Sequence, residues 1–171
     1  LAQDDLQVEG ATNLPVQVGE HRFPVIKLDF RSTYPSVVCS QGLCFTLAQD
    51  VLPKYMQHFM TMRGAAKGFK QRAIAEGNHT SGTFWQAAQL AFKAAANTTY
   101  GCLGSTFFRF RCRPISGAIL EGGRRALRGA ETQLRGAQVS SPVHVLYGVT
   151  DSLFVGLPAL SLDDAFRIAP E

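Results

Sequence analysis

The sequence predicts a mixed fold, α/β or α+β, with a helical hairpin inserted between β segments. Three observations lead there. β-prone runs lie near residues 23–30 and 143–155, a helical period fills residues 50–97 with one break, and an arginine-rich apolar-periodic stretch separates that region from the second β run. At 171 residues and 46% hydrophobic content the chain can bury one real core.

The composition narrows the classes of function. No run of about 18 apolar residues occurs, so no membrane span is indicated. A net charge of +4 permits a polyanionic partner without requiring one. Cys39, Cys44, Cys102 and Cys112 form no CxxC pair, and no histidine lies at zinc-ligand spacing from them, so reduced thiols are expected rather than a zinc site or a disulfide framework. The chain opens on Leu1 and stops at Glu171 just after a helix-like run, as expected of a piece of a longer protein.

Residues 1–22 carry no strong period. Phe23-Pro-Val-Ile-Lys-Leu-Asp29-Phe30 reads as a short buried strand ending in a carboxylate, and Arg31 to Cys39 as a turn into a helix, with Pro35 tolerated near its start. Asp29 and Ser32 have two readings: caps of the following helix, or a metal ligand beside a turn whose free N–H groups cradle an anion.

From Asp50 to about Glu76 the period is helical, and Val51, Tyr55, Phe59 and Met62 form one apolar stripe. Arg63, Lys67 and Lys70 share another face of the same helix. Gly77–Gly82 is a break, and a second helix is expected from Thr83 to about Asn97, followed by a further break over Thr98–Ser105. Lys93, Asn97 and Tyr100 sit four and three residues apart. The two cation-bearing faces are either solvated or hold something anionic between them.

Residues 109–135 contain seven arginines against Glu121 and Glu131. Ile115, Ile119, Leu127 and Leu134 predict a helix on the core with its arginines outward. The neighbouring Phe107, Phe108 and Phe110 make phosphate-backbone contact the alternative to a solvated basic face. Last, Val143 to Val155 reads as two strands joined through Gly148-Val-Thr-Asp-Ser152, with Asp151 fixed at the hairpin tip. A carboxylate on a rigid turn suits metal binding, although Asp and Ser are also ordinary turn residues.

Taken together and in order, these segments resemble the family B DNA polymerases. Asp29-Phe-Arg-Ser-Thr-Tyr-Pro-Ser36 resembles the family's motif A, with Thr33 where Leu is usual. Lys93-Ala-Ala-Ala-Asn-Thr-Thr-Tyr-Gly101 is similar to motif B, and Tyr147-Gly-Val-Thr-Asp-Ser152 to motif C, with Val149 where the pattern has its first Asp. Arg63-x-x-x-Lys67 resembles the basic pair of the fingers, and Gly123-Arg124 a Gly-Arg on the palm helix. Within the family, Gly42–Phe45, Val51–Lys54 and Leu162–Ile168 look most like zeta-type members and next like delta-type ones.

The resemblance implies a palm sheet with flanking helices, in two parts over residues 1–48 and 101–171, and a fingers helical hairpin over 49–100. It implies template-directed addition of a deoxynucleoside triphosphate to a primer 3′-hydroxyl. Two Mg²⁺ ions would be bridged by Asp29 and Asp151. The backbone of Phe30, Arg31, Ser32, Thr33 and Tyr34 would cradle the phosphates, and Arg63, Lys67, Lys93 and Asn97 would meet the triphosphate, Lys93 with a catalytic role. Tyr34 would exclude a ribose 2′-hydroxyl, and Tyr100 and Gly101 would pack at the nascent base pair. The implied partners are primer–template DNA, the nucleotide and accessory subunits held by regions outside this chain, in a nuclear setting, with a role in translesion synthesis. Val149 removes one motif C carboxylate. It therefore leaves a second expectation, a catalytically degenerate module that binds DNA or scaffolds other subunits.

Overall fold

The computed structural model of the protein describes residues 13–14, 19, 23–44, 50–136, 143–161 and 163–164. They divide into two compact units, one built on Ser32–Ile119 and the other on Glu9–Arg31 and Leu120–Glu171. Among the described residues are four helices and one antiparallel sheet, so the mixed helix-and-sheet class holds.

The first unit is helical. Helix α1, Thr33–Gln41, ends at Gly42, whose left-handed φ of 60° lets the Leu43 N–H return to the Val38 carbonyl at 3.1 Å. Helices α2, Val51–Ala75, and α3, His79–Gly104, follow. Phe69 stacks on Trp85 at 4.6 Å and Phe59 meets Phe92 at 6.2 Å. Rising numbers on α2 therefore meet falling numbers on α3, and the pair is the expected antiparallel hairpin.

Two helix boundaries differ from the sequence reading. The break shrinks to residues 76–78, because Asn78 accepts the Ser81 N–H at 3.0 Å and so caps a helix that already contains Thr80, Ser81 and Gly82. At the other end α3 runs through Thr98–Gly104. Thr99 Oγ1 donates to the Ala95 carbonyl at 2.9 Å and Leu103 is buried, so packing overrides the weak helix propensity of this stretch.

The core of this unit gathers Val38, Leu52, Met56, Ala96, Leu103 and Ile119. The stripe expected on α2 is turned from its place: Val51, Tyr55 and Met62 stay exposed, while Leu52, Met56, Ala66 and Ala73 are buried. Both faces of α2 are apolar, so period alone does not choose between them. Val51 and Tyr55 instead line an apolar groove of about 570 Å³ with Thr98, Cys102, Phe108 and Phe110.

The second unit holds the sheet, in the order β1-β3-β4-β2. Its strands are β1 Asn13–Leu14, β2 Val25–Asp29, β3 His144–Val149 and β4 Ser152–Gly156. β3 and β4 form the expected hairpin. Strand β2 is not the buried strand expected: it lies at the edge, and Val25 and Leu28 are 46% and 41% exposed. Among the described strands β4 alone pairs with it. The alternation expected along β3 breaks at a bulge between Val145 and Tyr147, which lets Val145 and Leu146 both be buried.

Helix α4, Arg113–Gly136, buries Ile119 and Leu127 fully, as its period predicts. Its arginines are not all outward. The Arg124 side chain is only 14% exposed and pairs with Glu121 at 3.5 Å. Arg125 and Arg135 do face outward, on Glu121 and Glu131. The anticipated helix-like run at Leu162–Ile168 and the residue Phe45 lie largely outside the described residues. Among those described, no helix is long and apolar enough to cross a membrane.

Strand β1 was not foreseen, and two residues are too few for a pattern. It explains Gly148, where a Cβ would meet the Leu14 side chain at 2.7 Å and Leu153 at 3.0 Å. Gly148→Ala is expected to cost about 1–3 kcal/mol through overpacking. Gly68→Ala, in open space on α2, is expected to gain roughly 0.5–1 kcal/mol. Urea unfolding midpoints that move in opposite directions are the predicted result.

Candidate functional site

Asp29 ends β2 and lies opposite Ser152 on β4, while Asp151 precedes Ser152 in the hairpin turn. The Phe30 N–H donates to the Asp151 carbonyl at 2.8 Å, and the Ser152 hydroxyl donates to Asp29 Oδ1. The two carboxyl-bearing residues are thus held at one end of the sheet, a single main-chain hydrogen bond from direct neighbours. The turn carries strain: Thr150 has φ 52°, and the Asp151 N–H folds back onto the Val149 carbonyl at 2.6 Å. Val149 pairs with Ser152, which pairs with Asp29, so the three share one cross-strand row.

These residues fit Mg²⁺ by the chemistry of their donors. Mg²⁺ takes hard oxygens, and it is held by one or two carboxylates plus substrate phosphates rather than by a full protein cage. Asp29 is more than half exposed, so its oxygens are reachable. Among the described residues no three His, Cys, Asp or Glu side chains cluster as a metal cage. Lys27 Nζ already sits 3.1 Å from Asp29 Oδ2, a resident cation where a metal would also bind.

A second set of predicted residues lies in the helical unit. Ser32 holds a left-handed conformation, φ 54° and ψ 50°, ahead of α1 and makes no side-chain cap. Its hydroxyl instead accepts from Arg63 at 2.9 Å, which removes the capping explanation for Ser32. Arg63 Nε is buried with no hydrogen-bond partner among the described residues. Thr33 is buried in the first turn of α1. Tyr34 stacks on Tyr100 at 4.3 Å and 26°, joining the motif A and motif B tyrosines. Burial pushes the Tyr100 phenol up, against a smaller opposing effect from its hydrogen bond with Ser116, so it stays protonated through neutral pH. On α3, Lys93 and Asn97 are exposed one turn apart and Gly101 is exposed in the last turns, while Lys67 is half-buried on α2. Arg31 is exposed just beyond β2.

Sequence reasoning missed Lys27 and gave Ser152 no role of its own. Both were legible in principle. Lys27 is two residues from Asp29 on the same strand, hence on the same face, and Ser152 adjoins Asp151.

Comparison with known proteins gives the family. The family described as DNA polymerase family B matches residues 46–171. The chain is 26% identical to the DNA polymerase delta catalytic subunit of Arabidopsis thaliana, over 95% of this chain and 18% of that protein. It is 30% identical to the DNA polymerase alpha catalytic subunit of the same plant, over 77% of this chain and 9% of that one. It is 24% identical to the alpha catalytic subunit of Mus musculus, over 98% and 14%. The chain thus spans less than a fifth of the length of these relatives, and their names support the family without supporting the zeta subtype. Motif order, the two carboxyl-bearing residues at one sheet end and the match over most of its length agree: the chain belongs to DNA polymerase family B.

Proposed function

We propose that this chain is the palm and fingers portion of a DNA-directed DNA polymerase. In that reading the sheet and α4 are palm, the α2–α3 hairpin is fingers, and the partners are primer–template DNA and a deoxynucleoside triphosphate. The observation that carries it is the register of β2 on β4, which sets the motif A carboxylate against the motif C turn.

Phosphoryl transfer asks a protein mainly for position and charge. Asp29 and Asp151 would hold two Mg²⁺ ions by their carboxylates, and bound there the metal would supply charge neutralisation for the attacking 3′-oxygen and the departing pyrophosphate. The strand-to-helix turn from Phe30 to Tyr34 offers N–H groups to the phosphates. Arg63, oriented by Ser32, meets the triphosphate through its guanidinium together with Lys67, Lys93 and Asn97. Stacked Tyr34 and Tyr100 form an apolar wall for the sugar and the nascent base pair, with Gly101 admitting the base. Arg109, Arg111 and Arg128 are exposed cations for primer–template phosphates. The nuclear setting and accessory subunits follow from the same reading, as does a translesion role through the zeta resemblance.

Val149 favours a second reading, a degenerate module that binds DNA without extending it. Its place in the row of Ser152 and Asp29 means an acid there would add negative charge beside the proposed metal ligands.

Primer extension by the full-length protein separates the two. Extension that Asp151→Ala lowers by at least about 10³-fold, or about 4 kcal/mol of barrier, is predicted. No extension by the natural sequence at any Mg²⁺ or Mn²⁺ concentration, with extension gained in Val149→Asp, would establish the degenerate reading instead. For the chain itself, a deoxynucleoside triphosphate at ten times its Kd is expected to add about 1.4 kcal/mol of stability, read as a thermal shift. Arg63→Ala and Lys93→Ala are each expected to shrink that shift, and a shift untouched by both would contradict their role.

A further inference from the structure

Asp29 offers two carboxylate oxygens, and both are engaged by side chains of the sheet. The Ser152 hydroxyl takes Oδ1, and Lys27 Nζ takes Oδ2 at 3.1 Å. Lys27 is held there by the strand itself. Residues two apart on β2 face the same way, and Lys27 pairs with Phe154 on β4, whose ring centre lies 6.0 Å from the ammonium. A lysine suits an exposed edge strand, and this one carries its charge onto the Asp29 carboxylate.

We propose that Lys27 is a resident counter-ion of Asp29 which a divalent cation must displace, so that it sets the metal affinity of the site. The inference rests on the reading that Asp29 is a metal ligand. An ammonium and a metal ion compete for the same oxygen, and releasing Lys27 subtracts from the metal's binding free energy. Val149 acts in the same direction by omitting a negative charge from the Asp29 row. Together they make a site that fills only at raised divalent-ion concentration. The side chains are about half exposed, at 51% and 56%, so the competition is screened and its size is that of an exposed ion pair.

The test is Mn²⁺ binding by the full chain, followed by the electron paramagnetic resonance of the free aquo ion and therefore independent of catalysis. Lys27→Met is expected to tighten Mn²⁺ binding roughly two- to fivefold, and Lys27→Arg, which keeps the charge, to stay near the natural sequence. In an Asp29→Asn background the gain from Lys27→Met is expected to vanish. A gain that survives there would overturn the proposal in favour of general surface charge. Binding weakened by Asp29→Asn but unaltered by Lys27→Met would overturn the role of Lys27 and leave the metal reading standing. Binding indifferent to Asp29 in every variant would overturn both. Unfolding midpoints in metal-free buffer check that each variant is folded.

Discussion

The antiparallel register of β2 on β4 is the constraint on which the proposed metal site depends. Asp29 lies opposite Ser152, and the residue after it is tied by its N–H to the carbonyl of Asp151. Because side chains alternate across a strand, a slip of one residue would turn Asp29 to the other face of the sheet and part the two carboxylates. The register is held from several sides. Val145, Leu153 and Val155 are buried with Leu127 in one cluster, and Gly148 leaves space for the Leu14 side chain. That packing fixes β3 and β4, and the ladder from Val25–Gly156 to Asp29–Ser152 carries the register on to Asp29.

The helical unit solves a different problem, that of presenting cations with little acid to quench them. Ser32 in a left-handed conformation, uncommon for a residue with a side chain, costs on the order of 1 kcal/mol or more. Its hydroxyl is the acceptor for Arg63, and the unmet Nε of that arginine is a further cost. Strain and an unsatisfied donor at two hydrogen-bonded residues support the proposed role of this pair at a ligand site.

Much of this was legible in the sequence, for physical reasons. The α2 boundaries follow from a long uninterrupted helical period, and the β3–β4 hairpin from turn chemistry at Thr150 and Asp151. What was illegible depends on tertiary neighbours. Whether β2 is buried depends on its rank in the sheet, and Val25 and Leu28 read the same at an edge or a centre. Which apolar face of α2 turns inward depends on Val38 and Ala96, far away in sequence. The bulge that buries Leu146 beside Val145 breaks a period that looked regular. Among the candidate site residues, the two carboxylates are singled out by motif spacing. Lys27 and Ser152 adjoin them in sequence, but which oxygen of Asp29 each engages depends on the pairing of β2 with β4.

Val149 is where sequence and geometry meet most sharply, since it places an apolar side chain in the row of Asp29 while the acids taken as metal ligands remain. The central claim is that these two acids bind divalent metal. It is tested most directly by adding Mn²⁺ to the isotope-labelled chain with a deoxynucleoside triphosphate and following paramagnetic broadening of backbone amides. The account predicts that the amides of Phe30, Asp151 and Ser152 are lost first. Broadening that begins elsewhere, at the exposed Asp163 and Asp164 for instance, or that spreads evenly over the chain, would contradict it.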